Sequence, residues 1–209
     1  MLPELDDDRA AFLAASPVSR ETAARLDHYA RLLRDRNQRL SLVADSTLPC
    51  LWTRHFLDCA QLADLIPDPE KTVVDIGTGA GLPGLVLAIL GLPHVHLVEN
   101  NMQKVAFLRT VIAELDLPVT VHPMKVEAMS SFAAGAVTAR ALKPLATLIG
   151  LARKFCGPET VCVFPKGRRA EEELAQARDL WAFTVERFGS QTDPGSTIFR
   201  LSRVQEARR

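Results

Sequence analysis

The residues whose types and spacing are best suited to chemistry run from Asp75 to Gly84, reading Asp-Ile-Gly-Thr-Gly-Ala-Gly-Leu-Pro-Gly. Gly77, Gly79, Gly81 and Gly84 let the backbone turn sharply and approach a ligand closely. Pro83 suits the first turn of a helix predicted over Pro83–Leu90. Just before the turn, Thr72–Ile76 is a short, β-branched, mostly apolar run that reads as a buried parallel strand. A strand, tight turn and helix in this order cradle a nucleotide-like cofactor at the carboxyl end of the strand. About twenty residues on, Val95–Val98 forms a second apolar strand. It ends in Glu99, whose carboxylate can accept both hydroxyls of a ribose.

Two cofactor classes fit this pair of features. The window Gly79-Ala80-Gly81-Leu82-Pro83-Gly84 matches the dinucleotide pattern of nicotinamide enzymes. The strand, however, delivers Asp75 and then Gly77 directly into the turn. That entry, an acid followed by glycines at every second position, resembles more closely the S-adenosylmethionine loop of class I methyltransferases. A glycine-rich turn with no nucleotide is the plain alternative, and the correctly spaced Glu99 argues against it.

The elements that must position these residues are set by the rest of the chain. At 209 residues with 47% hydrophobic content, there is room for one substantial α/β domain with an extension. We divide it as an N-terminal helical extension, 1–68, and a catalytic domain, 69–209. Lysine plus arginine and aspartate plus glutamate both number 25, so any nucleic-acid contact must come from a local basic patch. Cys50, Cys59, Cys156 and Cys162 lack C-x-x-C spacing, and the five histidines do not complete a metal set with them. His94 and His96 read as surface or packing residues. No metal is expected. The acidic start, without a long apolar run, reads as neither signal peptide nor membrane span, and a reducing cytoplasm is the expected compartment.

Met1 to Pro17 reads as a loose lead-in with room for a short helix over Arg9–Ala15. Ser19 caps an amphipathic helix running to about Arg36, whose far end carries Arg31, Arg34, Arg36 and Arg39 against Asp35. A second helix opens at Pro49 and stops at Pro67, and within it Arg54 and Asp58 are spaced to pair at i, i+4. From Thr72 strands and helices alternate, which predicts a doubly wound sheet. Its strands are Thr72–Ile76, Val95–Val98, Val119–His122, Ala136–Ala139 and Thr160–Phe164, closed by a hairpin of Phe183–Phe188 and Thr197–Ser202. Helices fall at Met102–Asp116, Pro144–Phe155 and Ala170–Asp179. Lys125, Val126 and Glu127 come after strand three, where an adenine ring would lie, and Arg140 stands at the carboxyl end of strand four. Lys166, Arg168 and Arg169 make a basic loop after strand five.

Taken together these residues resemble one family. Arg54-His55-Phe56-Leu57-Asp58, the Asp75–Gly84 loop, Glu99 with Lys104-Val105-Ala106-Phe107-Leu108, and Thr138-Ala139-Arg140-Ala141 are similar to the small-subunit ribosomal RNA methyltransferase G family, also called glucose-inhibited division protein B. The resemblance implies a class I S-adenosylmethionine-dependent methyltransferase: a Rossmann-like, seven-stranded sheet with a terminal antiparallel hairpin, plus N-terminal helices. It implies methyl transfer to guanine N7 of 16S ribosomal RNA, as naked RNA or within the small subunit. By position Gly77 and Leu82 match the family's cofactor loop, Val126 and Glu127 its adenine contact, and Arg140 its arginine after strand four. With Gly79 and Glu99, read from the turn and the second strand, these are the expected cofactor residues, and Arg140 stands beside the reacting centre to orient either the cofactor or the base. Arg36, Arg39, Lys166, Arg168 and Arg169 are the candidates for RNA phosphates. Where the family has a tryptophan before Asn37 this chain has Arg36, and where it has asparagine-leucine-threonine this chain has Ser41-Leu42-Val43.

Two rival readings stand beside it. One is a small NAD(P)-dependent oxidoreductase using the same loop and Glu99. It lacks an obvious proton donor, because Tyr29, the only tyrosine, lies in an N-terminal helix expected to be far from the loop. The other is a non-catalytic RNA-binding module, against which the intact loop argues. A monomer is the expected state.

Overall fold

The computed structural model describes residues 3–140 and 143–207. Its centre is a seven-stranded sheet: β1 (Val73–Ile76), β2 (Val95–Val98), β3 (Val119–His122), β4 (Ala134–Thr138), β5 (Cys156–Lys166), β6 (Trp181–Gly189) and β7 (Thr197–Glu206). The order across the sheet is β3-β2-β1-β4-β5-β7-β6. Strands β1 to β5 run parallel, and β7 lies antiparallel between β5 and β6. The predicted closing hairpin is present and longer than expected at both strands. Strand order reverses at β1, flanked by β2 on one side and β4 on the other, which opens a crevice at their carboxyl ends.

Helices cover both faces, so β1 is buried along its whole length. Its alternate side chains feed two cores. Val73 packs with residues of α2 (Arg20–Leu40), α4 (Gly84–Ile89) and α5 (Met102–Leu115). Val74 and Ile76 pack with α6 (Leu145–Ala152) and α7 (Ala170–Arg178) on the opposite face. Among the described residues no helix is long and apolar enough to cross a membrane.

The start of the chain departs from the sequence expectation. Residues 3–15 form a 13-residue helix, α1 (Pro3–Ala15), rather than a loose lead-in. Phe12 is fully buried with its ring centroid 5.2 Å from Trp52, and burial of such a ring contributes roughly 1.5–3 kcal/mol. Asp8 accepts hydrogen bonds from the backbone N–H groups of Trp52 (2.7 Å) and Thr53 (3.1 Å), capping a helix 44 residues away. Arg9 reaches Asp27 of α2 through two bonds of 2.8 Å.

The helix expected from Pro49 to Pro67 also differs. Trp52–Leu57 is wound as a π-helix, continued by the short turn α3 (Asp58–Ala60). The extra residue in a π turn rotates the side chains downstream of it, so Arg54 is exposed while Asp58 is buried. The expected Arg54–Asp58 pair is therefore not made, and Asp58 pairs with Arg140 instead.

Candidate active site

At the carboxyl ends of β1, β2, β3 and β4 lies a cavity of about 580 Å³. Its floor is the turn Gly77–Leu82, held in place by three sets of bonds. The N–H groups of Gly77 and Thr78 donate to Val98 O at the end of β2. Asp75, fully buried, accepts from Thr78 Oγ1, Gly84 N (2.9 Å) and Thr138 Oγ1 (3.2 Å), which fastens β1, the turn, α4 and β4 together. Burial pushes the Asp75 carboxyl up to about 6 against the pull of those three donors. Glu99 accepts from Gly79 N (3.0 Å) through one oxygen and from Asn101 N (2.8 Å) through the other.

Two glycines of the turn show why side chains are excluded. Gly79 has φ +59° and nothing within 4 Å of where a Cβ would stand, so the backbone is bare toward the cavity. A Cβ on Gly84 would come within 2.2 Å of Leu97 and 2.9 Å of the Asp75 carboxylate, so only glycine lets α4 meet the sheet. Pro83 stands just before α4 rather than inside it, and the Leu82–Pro83 peptide is cis.

The cavity brings together every residue expected at the cofactor: Gly77, Gly79, Leu82, Glu99, Val126, Glu127 and Arg140 all line it. Val126 is buried and Glu127 exposed, and Lys154 Nζ donates to both of their carbonyls (3.1 and 2.8 Å). The structure adds Leu42, Lys104 and Lys143 to the walls. Leu42 arrives because Asn37, at the end of α2, accepts from Val43 N (2.8 Å) and donates to Val43 O (3.1 Å) and Asp45 (2.7 Å). Nothing in its apolar side chain marks it in the sequence.

Tyr29 requires a correction. The sequence places it far from the loop, but its hydroxyl donates to Ala80 O at 2.7 Å. The ring is fully buried and stacked on Phe56, and burial raises the phenol well above its ordinary pKa. Its proton is committed to a backbone carbonyl, so it braces the turn and cannot act as an acid.

Arg140 is the most constrained group on the wall. Its Nη1 donates to Asp58 (3.2 Å) and its Nη2 to His55 Nδ1 (2.9 Å). Thr47 donates its hydroxyl proton to Ala44 O (2.7 Å), so His55 Nε2–H donates to Thr47 Oγ1 at 2.7 Å. Both ring nitrogens are thereby satisfied in the neutral tautomer. Burial first, then Arg140 and Arg54, push the His55 pKa down to about 3. Asp58 also accepts from Thr192 (2.9 Å) and Gln61 (3.1 Å). Two of the five guanidinium N–H groups are thus taken. Ala141, which comes after Arg140 in the sequence motif, lies outside the described residues.

The basic candidates divide into two groups. Arg36 and Arg39 are exposed at the end of α2 nearest the cavity, and Arg168 is exposed beside Gly195. Lys166 is instead held by Glu173 (2.7 Å) and Lys143 O (2.9 Å), with its side chain only 10% exposed, while Arg169 pairs with Glu172 (2.9 Å). Among the described residues no group of three or more potential metal ligands occurs.

Comparison with known proteins agrees with this architecture. A family model described as rRNA small subunit methyltransferase G matches residues 22–192. Ribosomal RNA small subunit methyltransferase G of Rhodospirillum centenum is 51% identical over 193 residues, covering 92% of this chain and 89% of its own. That of Rhodospirillum rubrum is 44% identical over 197 residues, covering 94% and 98%. The solved structure of Aeropyrum pernix fibrillarin with natively bound S-adenosyl-L-methionine superposes with a TM-score of 0.55 at 15% identity, covering 71% of this chain and 75% of that one. That likeness establishes the Rossmann-like methyltransferase fold, and the sequence matches decide the family: the chain belongs to the rRNA small subunit methyltransferase G family.

Proposed function

We propose that this methyltransferase transfers a methyl group from S-adenosylmethionine to N7 of a guanine in 16S ribosomal RNA of the bacterial small subunit. The observation that carries the cofactor assignment is the Glu99 carboxylate, bonded to the Gly79 N–H beside backbone that carries no side chain, inside a cavity of about 580 Å³. In this reading Glu99 takes the ribose hydroxyls, Gly77, Gly79 and Leu82 border the amino-acid end, and Val126 and Glu127 border the adenine. When bound, the cofactor supplies a sulfonium-activated methyl group for in-line displacement.

The chain's own contribution is placement. Guanine N7 presents an unprotonated lone pair, so no side chain has to remove a proton. The wall around Arg140 agrees with that requirement. His55 is neutral with both nitrogens engaged, and Tyr29 is committed to Ala80. Arg140, rigidly held, orients ligands at the reacting centre, so proximity and orientation supply most of the acceleration. Arg36, Arg39 and Arg168 are free to meet RNA phosphates, and Lys166 and Arg169 would have to leave Glu173 and Glu172 to join them.

The test is methyl transfer from labelled S-adenosylmethionine to small-subunit ribosomal RNA, with nucleoside analysis of the product. Label in 7-methylguanosine is the expected result; label in any other nucleoside, or in none, overturns the reading.

A further inference from the structure

Arg140 and Lys143 line two cavities. Beside the first lies a second, of about 450 Å³, at the carboxyl ends of β4 and β5. Pro144, Pro165 and Ile198 give it apolar surface. Three carboxylates reach it, and two are consumed within the protein. Asp58 serves Arg140, Thr192 and Gln61, and Glu173 serves Lys166 and the Leu145 N–H. Asp193 differs, because its hydrogen bonds come from its own loop, from Gly195 N (2.9 Å) and Ser196 Oγ (2.8 Å), one to each oxygen. A carboxylate has about four acceptor directions, so each Asp193 oxygen keeps one. Those two donors, with Arg54 and Arg168 nearby, hold its pKa below the ordinary range.

The polarity of this cavity matches one base. Guanine carries acceptors N7 and O6 on one edge, and its N1–H and 2-amino donors point away from N7. If N7 faces the first cavity, O6 falls beside the cations of the shared wall. The donor edge then faces the far side of the second cavity. Adenine in that pose would set an amino donor against two cations and offer no N1–H.

We propose that the second cavity receives the acceptor guanine, with Arg140 and Lys143 at its N7–O6 edge and the Asp193 carboxylate on N1–H and the 2-amino group. This rests on the reading of the protein as a guanine-N7 methyltransferase and adds the residue that selects the base. Asp193 is a specificity residue on the substrate side, outside the cofactor cavity.

The test compares single-turnover methylation of small-subunit RNA carrying guanine or inosine, which lacks the 2-amino group, at the methylated position. Wild-type protein should prefer guanine by roughly 10- to 150-fold, the range for one hydrogen bond to a charged group. Asp193→Asn keeps Oδ1 on the Gly195 N–H, turns the Ser196 bond round so that the amide donates to its Oγ, and offers guanine one acceptor instead of two. It should lower the guanine rate by a similar factor and bring the guanine-to-inosine ratio close to one, while calorimetry shows unchanged S-adenosylmethionine affinity. The wild-type comparison needs no variant, and equal rates on the two RNAs overturn the Asp193 contact. A variant that keeps the wild-type ratio does so too, while leaving methyl transfer to guanine intact. Wild-type protein that methylates no guanine N7 brings down both readings.

Discussion

The Tyr29 hydroxyl and the Ala80 carbonyl lie 2.7 Å apart, joining an N-terminal helix to the turn that floors the first cavity. Tyr29→Phe removes the donor and leaves a buried carbonyl unsatisfied, at a cost of about 1–3 kcal/mol. Thermal unfolding should therefore shift down by roughly 2–4 °C per kcal/mol lost. An unchanged melting temperature would mean that water or another donor replaces the phenol.

Glu99 bonds the turn and is assigned to the ribose, so its loss acts on both. Glu99→Ala should weaken S-adenosylmethionine binding by about 1.5–3 kcal/mol, as expected for charge-assisted bonds. Glu99→Gln, which keeps one acceptor, should fall between the alanine variant and the wild type. Calorimetry giving the alanine variant wild-type affinity would displace the ribose from Glu99.

His55 makes stability depend on pH. Its folded pKa of about 3 lies below the unfolded value of 6.5, so the folded state binds fewer protons between those limits. Its contribution is fully present above pH 6.5 and is lost as pH falls toward 3. Asp75, raised to about 6, has the opposite slope between its ordinary range and pH 6, so the total profile mixes the two. The difference between wild type and His55→Gln isolates the histidine. That difference should shrink on acidification by up to about 1.4 kcal/mol per pH unit, measured by urea unfolding. A pH-independent difference would show that His55 protonates without disturbing Arg140.

The exposed and the paired cations should behave differently toward RNA. Replacing Arg36 and Arg39 by glutamine should lower the slope of log affinity against log salt by roughly 0.7–0.9 per lost phosphate contact. Lys166→Gln should act chiefly on stability, because it takes the ammonium away from Glu173 in a largely buried pair. A salt slope that changes for Lys166→Gln and not for the arginines would reverse this division.

Legibility in the sequence depends on range. The turn, its helix and Glu99 belong to one strand–helix–strand unit, so local spacing is enough to find them. The contacts that organise Arg140 are distant: His55 is 85 residues away and Asp58 82. Helical spacing pairs Asp58 with Arg54, and the π turn at Trp52–Leu57 defeats that rule by inserting a residue. Tyr29 and Ala80 are 51 residues apart, and no periodicity in α2 indicates which of its buried residues meets the loop. Asp8 reads as part of an acidic lead-in because its role as a cap is visible only once the Trp52 helix is beside it. Cys156 and Cys162 have no recognisable spacing, yet the path of β5 brings their sulfurs to 3.6 Å.

In the proposed reaction the accepting atom is guanine N7, taken without help from a protein base. The most direct measurement is single-turnover transfer from S-adenosylmethionine to small-subunit RNA with 7-deazaguanine at the methylated position. That substitution removes the nucleophilic nitrogen and leaves O6, N1–H and the 2-amino group in place. The altered RNA should bind with near wild-type affinity and accept no methyl group. Methylation of the 7-deazaguanine residue would contradict the assignment.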